Sequence, residues 1–482
     1  MKVLLVTGRL AEGIVKANSA GCDVHVADVD VAAFITEKHL SSVDISRYDL
    51  VLVPGLAKGR WRELERRTGT KVRLGPIHAY DIPKVMERIG SVELSHEVPA
   101  DRLIDMNRER ELVELVESVE KGVFDINGVE IGGTSRMKVV AEVVDATELD
   151  RDQLAGRIEY YLESGADIVD LGVPLSFSVE DVRRVVKVAK DCCDAVSVDT
   201  FSPRAIRTAV ESGVDMVMSI SEKNIRALDH IEGQAVVVVE RNVERLSWLV
   251  DLVRTKTEKV IADPVLDMDG FVPSVLRYAE FRRRDPRTPV LFGAGNVTEL
   301  FDADSIGVNA LLALIAEEVG ASLLFTTEAS PKTRGSIREL RIASYMVKGA
   351  RLKGTPPKDL GMSLLVLKEK VRFPEAEVPE NCQKAVESKE FHRDPLGDFR
   401  IWISGDRIVC SHEKACVHGK TAKEIIDTVL RMGLVSRLDH AGYLGRELKK
   451  AEIALKLKKN YVQDEELNFG YYERDLKDEN SC

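Results

Sequence analysis

The chain has 482 residues, of which 44% are hydrophobic, and its 69 Lys and Arg against 80 Asp and Glu leave a formal charge of −11. Roughly 150 residues per domain gives about three domains, and the acidic balance argues against general nucleic-acid binding. No apolar run approaches the ~18 residues of a membrane span, and the opening MKVLLVTG lacks a cleavable signal's longer apolar stretch. Seven cysteines without framework spacing fit a reducing cytoplasm.

Residues 1–95 alternate short apolar runs with helix-like segments. VLLVTG (Val3–Gly8), DVHVAD (Asp23–Asp28), LVLVPG (Leu50–Gly55) and KVRLGP (Lys71–Pro76) predict four parallel strands, with helices over Arg60–Arg67 and Asp81–Ile89. This is an open, flavodoxin- or Rossmann-like sheet. Gly8, Gly13, Gly55 and Gly75 stand at strand ends, where such a sheet binds small ligands, but GRLAEG is no dinucleotide or phosphate-loop motif. His78 and Asp81 come after the last strand.

Residues 96–136 read as a connector. A charged helix is expected over Glu109–Gly122, and Asn127-Gly128 signals a hairpin placed to plug the amino-terminal mouth of the next domain. From 137 to 348 the βα unit recurs eight times. Strands are expected at Val139–Asp145, Asp167–Gly172, Ala195–Thr200, Asp215–Ile220, Ala235–Glu240, Lys259–Asp263, Pro289–Gly293 and Ser322–Thr327. Each is short and dense in Val, Ile or Leu, as a strand buried on both faces must be. The architecture is therefore a (β/α)8 TIM barrel whose strand ends bring Asp145, Asp170, Asp199, Ser219, Glu240, Asp263, Asn296 and Thr327 towards one pocket. Such a pocket suits a pterin, whose pyrimidinone edge offers two adjacent donors to one carboxylate, and it also admits a divalent metal such as Mg²⁺. The residues alone leave that choice open.

GADIVDLG (Gly165–Gly172), SVDTFSPRAIRTAVESGVDMV (Ser197–Val217) and VIADPVLD (Val260–Asp267) narrow it. In that order and spacing they resemble the dihydropteroate synthase family, and the whole chain is similar to the archaeal dihydropteroate synthase-like proteins. The resemblance implies that Asp199 and Asp263 hold the ring of a reduced pterin serving as substrate or cofactor. It also implies a transferase acting in folate- or tetrahydromethanopterin-type coenzyme biosynthesis.

Departures from the synthase pattern matter equally. Where synthases carry N-V-T-P-D-S-F-S after the first strand, this chain has V-D-A-T-E-L-D, with Asp145 near the Asn position. The fourth-strand Asn aligns with Met218, leaving Ser219, Ser221 or Asn224 to compensate. G-A-G-N-V-T replaces S-R-K-S after strand seven and resembles the G-x-S-N-V-S of pterin methyltransferases, which would place Asn296 near the pterin N5. Lys332 and Arg334, ahead of a helix starting near Ser336, are the candidate phosphate anchors, with Glu328 beside them as a candidate proton donor or acceptor.

The remaining 349–482 predict a small α+β domain. It holds a hairpin around Gly405-Asp406, helices over Ile425–Gly433 and Tyr443–Leu457, and an acidic tail from Gln463. Cys410, His412, Cys416 and His418 superficially suggest zinc, yet two of the pairs share simple strand alternation and the spacing is no standard finger, so no metal ligands are assigned. Three functions are expected to compete: synthesis on a pterin, N5 methyl transfer, and a non-catalytic pterin scaffold. The flanking domains leave room for a protein partner, and the chain for a homodimer.

Overall fold

The computed structural model describes residues 1–370, 378–388 and 390–470. It divides into two compact units, Met1–Lys370 and Val371–Cys482. The first unit opens with four strands, β1 (Val3–Thr7), β2 (Asp23–Val26), β3 (Leu50–Val53) and β4 (Lys71–Leu74), in the order β2-β1-β3-β4. All pairings are parallel. Both faces of β1 and β3 are buried, which is why their sequences run apolar without alternation. A small cavity of about 90 Å³ lies at the carboxyl ends of these strands, lined by Thr7, Pro54, Gly75 and apolar neighbours.

The connecting helix runs Ala100–Glu117. It starts nine residues before the expected position, because Pro99 sets an extended N-cap and the chain turns helical directly after it. The hairpin β5 (Phe124–Ile126) and β6 (Val129–Ile131) then forms around Asn127 and Gly128, both at positive φ. Ile126 and Ile131 pack against Val140, Ile168, Met216, Ile261 and Leu323, the lowest inward layer of the barrel. The hairpin is the floor of that barrel.

The barrel has eight parallel strands: β7 (Lys138–Val143), β8 (Ile168–Gly172), β9 (Val196–Asp199), β10 (Met216–Ile220), β11 (Ala235–Val239), β12 (Val260–Asp263), β13 (Leu291–Gly293) and β14 (Leu323–Thr327). They are ordered β12-β11-β10-β9-β8-β7-β14-β13, and a parallel bridge between Ala262 and Val290 closes the ring. Every strand proposed from sequence is present, shifted by at most two residues at its ends. The outer core, from Leu154 and Val185 to Ala316 and Leu340, binds the helices to this ring. Among the described residues no helix is long and apolar enough to cross a membrane.

The second unit holds an antiparallel sheet of β15 (Phe399–Ser404), β16 (Arg407–His412) and β17 (Ala415–Gly419), with helices Ala422–Arg431 and Leu438–Leu457. The third strand was not expected from sequence: ACVHG has only half-buried and exposed positions, so it lacks an apolar pattern. The acidic tail beyond Gly470 lies outside the described residues.

Candidate active site at the barrel mouth

A barrel strand points alternate side chains inwards, and the last inward residues of each strand reach the mouth. Register places Glu142 of β7 opposite Asp170 of β8, and Gly172 opposite Asp199 of β9. One oxygen from each of Glu142, Asp170 and Asp199 lies within 4.8 Å of the others. Asp263 ends β12, where its Oδ1 accepts from Val265 N at 2.8 Å and Tyr278 Oη at 3.2 Å.

Among the described residues, none of these four carboxylates is in an ion pair. Burial and mutual repulsion therefore act with only hydrogen bonds against them. Burial, with help from Asp199 and Asp145, pushes the Glu142 carboxyl up to about 7. Burial pushes Asp263 up to about 6. Asp170, fully buried, is raised well above the ordinary range, chiefly by burial and next by Asp199 and Glu142. Asp199 is raised by burial against a hydroxyl bond from Ser219. Ser219 itself sits at φ +64, a left-handed conformation costly for a side chain other than Gly, Asn or Asp.

Two clefts open here and meet at Glu142. One, of about 390 Å³, is lined by Glu142, Arg241, Asp267, Asn296, Glu299 and Thr327 with apolar neighbours. The other, of about 210 Å³, is lined by Glu142, Asp145, Asp199 and Thr200 with Val173, Leu175 and Phe201. Among the described residues Arg241 is the sole cation lining them, and it is held by Asp267 at 2.8 Å, which Arg277 also grips at 2.7 Å. Asn296 is exposed, in a helical turn Gly295–Thr298 rather than at the cap of a longer helix. Its Nδ2 donates to Leu266 O at 2.9 Å, leaving Oδ1 to the cleft. A Cβ on Gly293 would stand 2.9 Å from that Nδ2, so the glycine makes room for the amide.

The structure thus brings Asp145, Asp199, Asn296 and Thr327 to the mouth, with Asp263 and Ser219 bordering it. It does not bring Glu240, whose carboxylate accepts from Asn242 N at 2.9 Å and so stabilises the start of the next helix. Asn224 is taken as well, its amide bridging Ser221 N and Ser219 O. Lys332 pairs with Asp302 at 2.8 Å, and Arg334 lines a separate cleft with Arg157, Tyr160 and Glu328. The helix start beside them is occupied, since Glu328 accepts from Ile337 N at 3.3 Å and from Tyr160 Oη at 2.9 Å. Glu142 was missed. A lone acid inside the buried strand KVVAEV is the signal that could have found it.

The Cys/His set of the second unit is dispersed. Cys410 is buried and Cys416 exposed. His412 accepts from Lys414 N at its Nδ1 and donates from Nε2 to Leu396 O. His418 contacts Arg407.

Comparison with known proteins finds two family matches, similar solved structures and a full-length relative. Residues 133–276 match the family described as Pterin binding enzyme, and residues 393–464 match the family PterinBD-DUF4346. Crystal structures of dihydropteroate synthases from Yersinia pestis and Thermus thermophilus align with 48% and 43% of this chain and 99% and 92% of their own. Identities are 16% and 22%, and TM-scores 0.40 and 0.35. An uncharacterized protein of Methanocaldococcus jannaschii is 37% identical over 97% of this chain and 99% of its own length. With that full-length relative and the pterin-binding match over the barrel, the chain belongs to the dihydropteroate synthase-like family of pterin-binding proteins.

Proposed function

We propose that the protein is a cytoplasmic transferase that holds a reduced pterin of the folate or tetrahydromethanopterin type and moves a group to or from it. The observation that carries this is the pair Asp199 and Asp263, two half-buried carboxylates at a barrel mouth in a segment matching pterin-binding enzymes. Each can accept from the ring's adjacent N–H donors. Asp145 lines the second cleft and is exposed.

Two versions of the transfer differ in what they demand. Condensation with an arylamine expels diphosphate and so needs cations, yet Lys332 is paired with Asp302 and Arg334 lies in another cleft. Chemistry at N5 needs a hydrogen-bonding group that responds to changing ring charge, and Asn296 offers a free carbonyl oxygen in the larger cleft. The exposed amide favours the second version.

The test has two parts. Calorimetry with 7,8-dihydropterin and tetrahydrofolate should show binding that Asp199→Ala and Asp263→Ala each weaken by about 1.5–3 kcal/mol, the range for hydrogen bonds to a charged group. Unchanged affinity in both folded variants refutes the pterin assignment. Turnover is then compared between a pterin diphosphate plus arylamine and a methylated pterin. Asn296→Ala should slow the second far more than it weakens binding. Robust condensation, unaffected in Asn296→Ala, would reverse the choice of version. Binding without either turnover would leave a scaffold.

A further inference from the structure

The amino-terminal sheet runs β2-β1-β3-β4, so β1 and β3 are neighbours whose following connections leave in opposite directions. A crevice opens at the carboxyl ends of such a pair, and open parallel sheets bind small molecules there. In this chain the crevice is the cavity of about 90 Å³, walled by apolar side chains such as Val6, Leu52 and Ile82. Close backbone crossings fix its walls. A Cβ on Gly8 would stand 2.7 Å from Asp30 O, and one on Gly55 would stand 2.7 Å from the Pro76 carbonyl carbon. Only glycine lets the loop after β1 meet the loop after β2, and the loop after β3 meet the loop after β4.

The lining decides what fits. Among the described residues no ionisable side chain is part of it. Arg9, two residues beyond Thr7, is held by Asp28 and, at 2.8 Å, by Asp30. An ion entering the cavity would lose its hydration without gaining a counter-charge, so the occupant is uncharged. Thr7 brings the lining its hydroxyl and is 1% exposed. That hydroxyl makes one long bond, of 3.4 Å, to the carbonyl oxygen of the adjacent Gly8, and its acceptor lone pairs are unused. A buried acceptor in that state is satisfied by an N–H or O–H donor from outside the chain. Size narrows the choice further. A cavity of about 150 Å³ encloses a whole benzene ring. At about 90 Å³, with one side open, this one takes a single ring and leaves its edge at the entrance. A ring also loses less internal freedom on binding than a flexible chain of equal size.

We propose that the carboxyl ends of β1 and β3 form a binding site for an uncharged single ring bearing an N–H or O–H donor, which Thr7 Oγ1 accepts. Apolar side chains surround the ring, the hydroxyl fixes its orientation, and its substituents lead out through the open side. The inference does not rest on the pterin reading, because this cavity and the clefts of the barrel mouth share no residue.

Phenol, toluene and benzoate separate the parts of the proposal, being one ring with a donor, without one, and with a charge. Each is titrated into the full-length chain and followed by ligand-observed magnetic resonance and thermal denaturation. Phenol should bind saturably, one per chain, and raise the melting temperature. Benzoate should not bind. Thr7→Val keeps the side chain's shape and removes the hydroxyl. It should weaken phenol about fivefold relative to toluene, the worth of one neutral hydrogen bond. Ala79→Phe, which fills the cavity, should abolish binding of both. If Ala79→Phe fails to fold, Thr7→Val decides. Absence of saturable phenol binding, a phenol-to-toluene ratio unchanged in Thr7→Val, or phenol binding undiminished in folded Ala79→Phe overturns the proposal.

Discussion

The two ends of the barrel treat charge in opposite ways. At the amino-terminal end every prominent acid is answered. Asp167 takes two bonds from Arg136, at 2.6 and 3.0 Å, a third from Arg341 at 2.6 Å and a fourth from Val139 N. Lys138 meets Glu120 at 2.7 Å, and Asp215 is held by Lys190 at 2.9 Å and Asn127 at 2.7 Å. At the carboxyl end, four acids stand together without an ion-pair partner among the described residues. Both ends belong to the same strands, so the difference is not one of burial. Charges that are satisfied within the chain hold the fold, and charges left unsatisfied wait for something from outside.

The largest expected effect lies at the satisfied end. Asp167→Ala strips Arg136, itself almost fully buried, of its principal partner and frees the Val139 amide. Breaking a buried pair from one side costs about 3–5 kcal/mol. Chemical denaturation at neutral pH should show that loss. A change under about 1 kcal/mol would mean the floor is not where stability resides, and the contrast between the ends would fail.

The opposite sign is expected at the other end. Asp263 has a folded value of about 6, above its ordinary 3.8, because it is buried. Between those values the native state holds a proton that the unfolded chain has lost. Stability therefore falls as pH rises through this window, by up to about 3 kcal/mol for some two units. Asp263→Asn retains an acceptor for Val265 N and Tyr278 Oη but cannot ionise. It should be more stable than the wild-type chain at pH 7.5, equal to it near pH 4, and lack the slope between. An identical pH profile in the variant would show that the mouth carries no such strain.

The same contrast explains what could be read from sequence. Eight strands were legible because burial on both faces forces apolar runs such as AVVVV (Ala235–Val239), and helices at 3.6-residue spacing separate them. Asp199 and Asp263 were legible because each ends a strand. Glu142 was hidden because it lies one residue before the end of β7, where position alone suggests strand interior. Its role depends on Gly172 of the next strand, a contact that only register reveals. Lys332 and Glu328 illustrate the converse. The type of Lys332 suits a phosphate site and that of Glu328 suits proton transfer, but tertiary partners, Asp302 and the Ile337 amide, engage them in the fold.

The smallest effect offers the sharpest check on whether the two ends are independent. Asn127 occupies the hairpin turn at φ +45, with Gly128 next to it at φ +86. A two-residue turn of this hand favours Asn-Gly because Asn tolerates the left-handed region. Its amide also donates to Asp194 O at 2.8 Å and to Asp215 at 2.7 Å, tying the floor to the segments leading into β9 and β10. Asn127→Ala forfeits both bonds and keeps an unfavourable φ, while Asn127→Gly forfeits the bonds alone. Each bond contributes about 1 kcal/mol, so the Ala variant should lose roughly 2 kcal/mol and the Gly variant somewhat less. Neither should alter pterin affinity, since the barrel's packed interior separates floor from mouth. If melting shifts as expected but ligand affinity moves with it, strain passes through the strands, and the mouth's unpaired acids are being held apart from below.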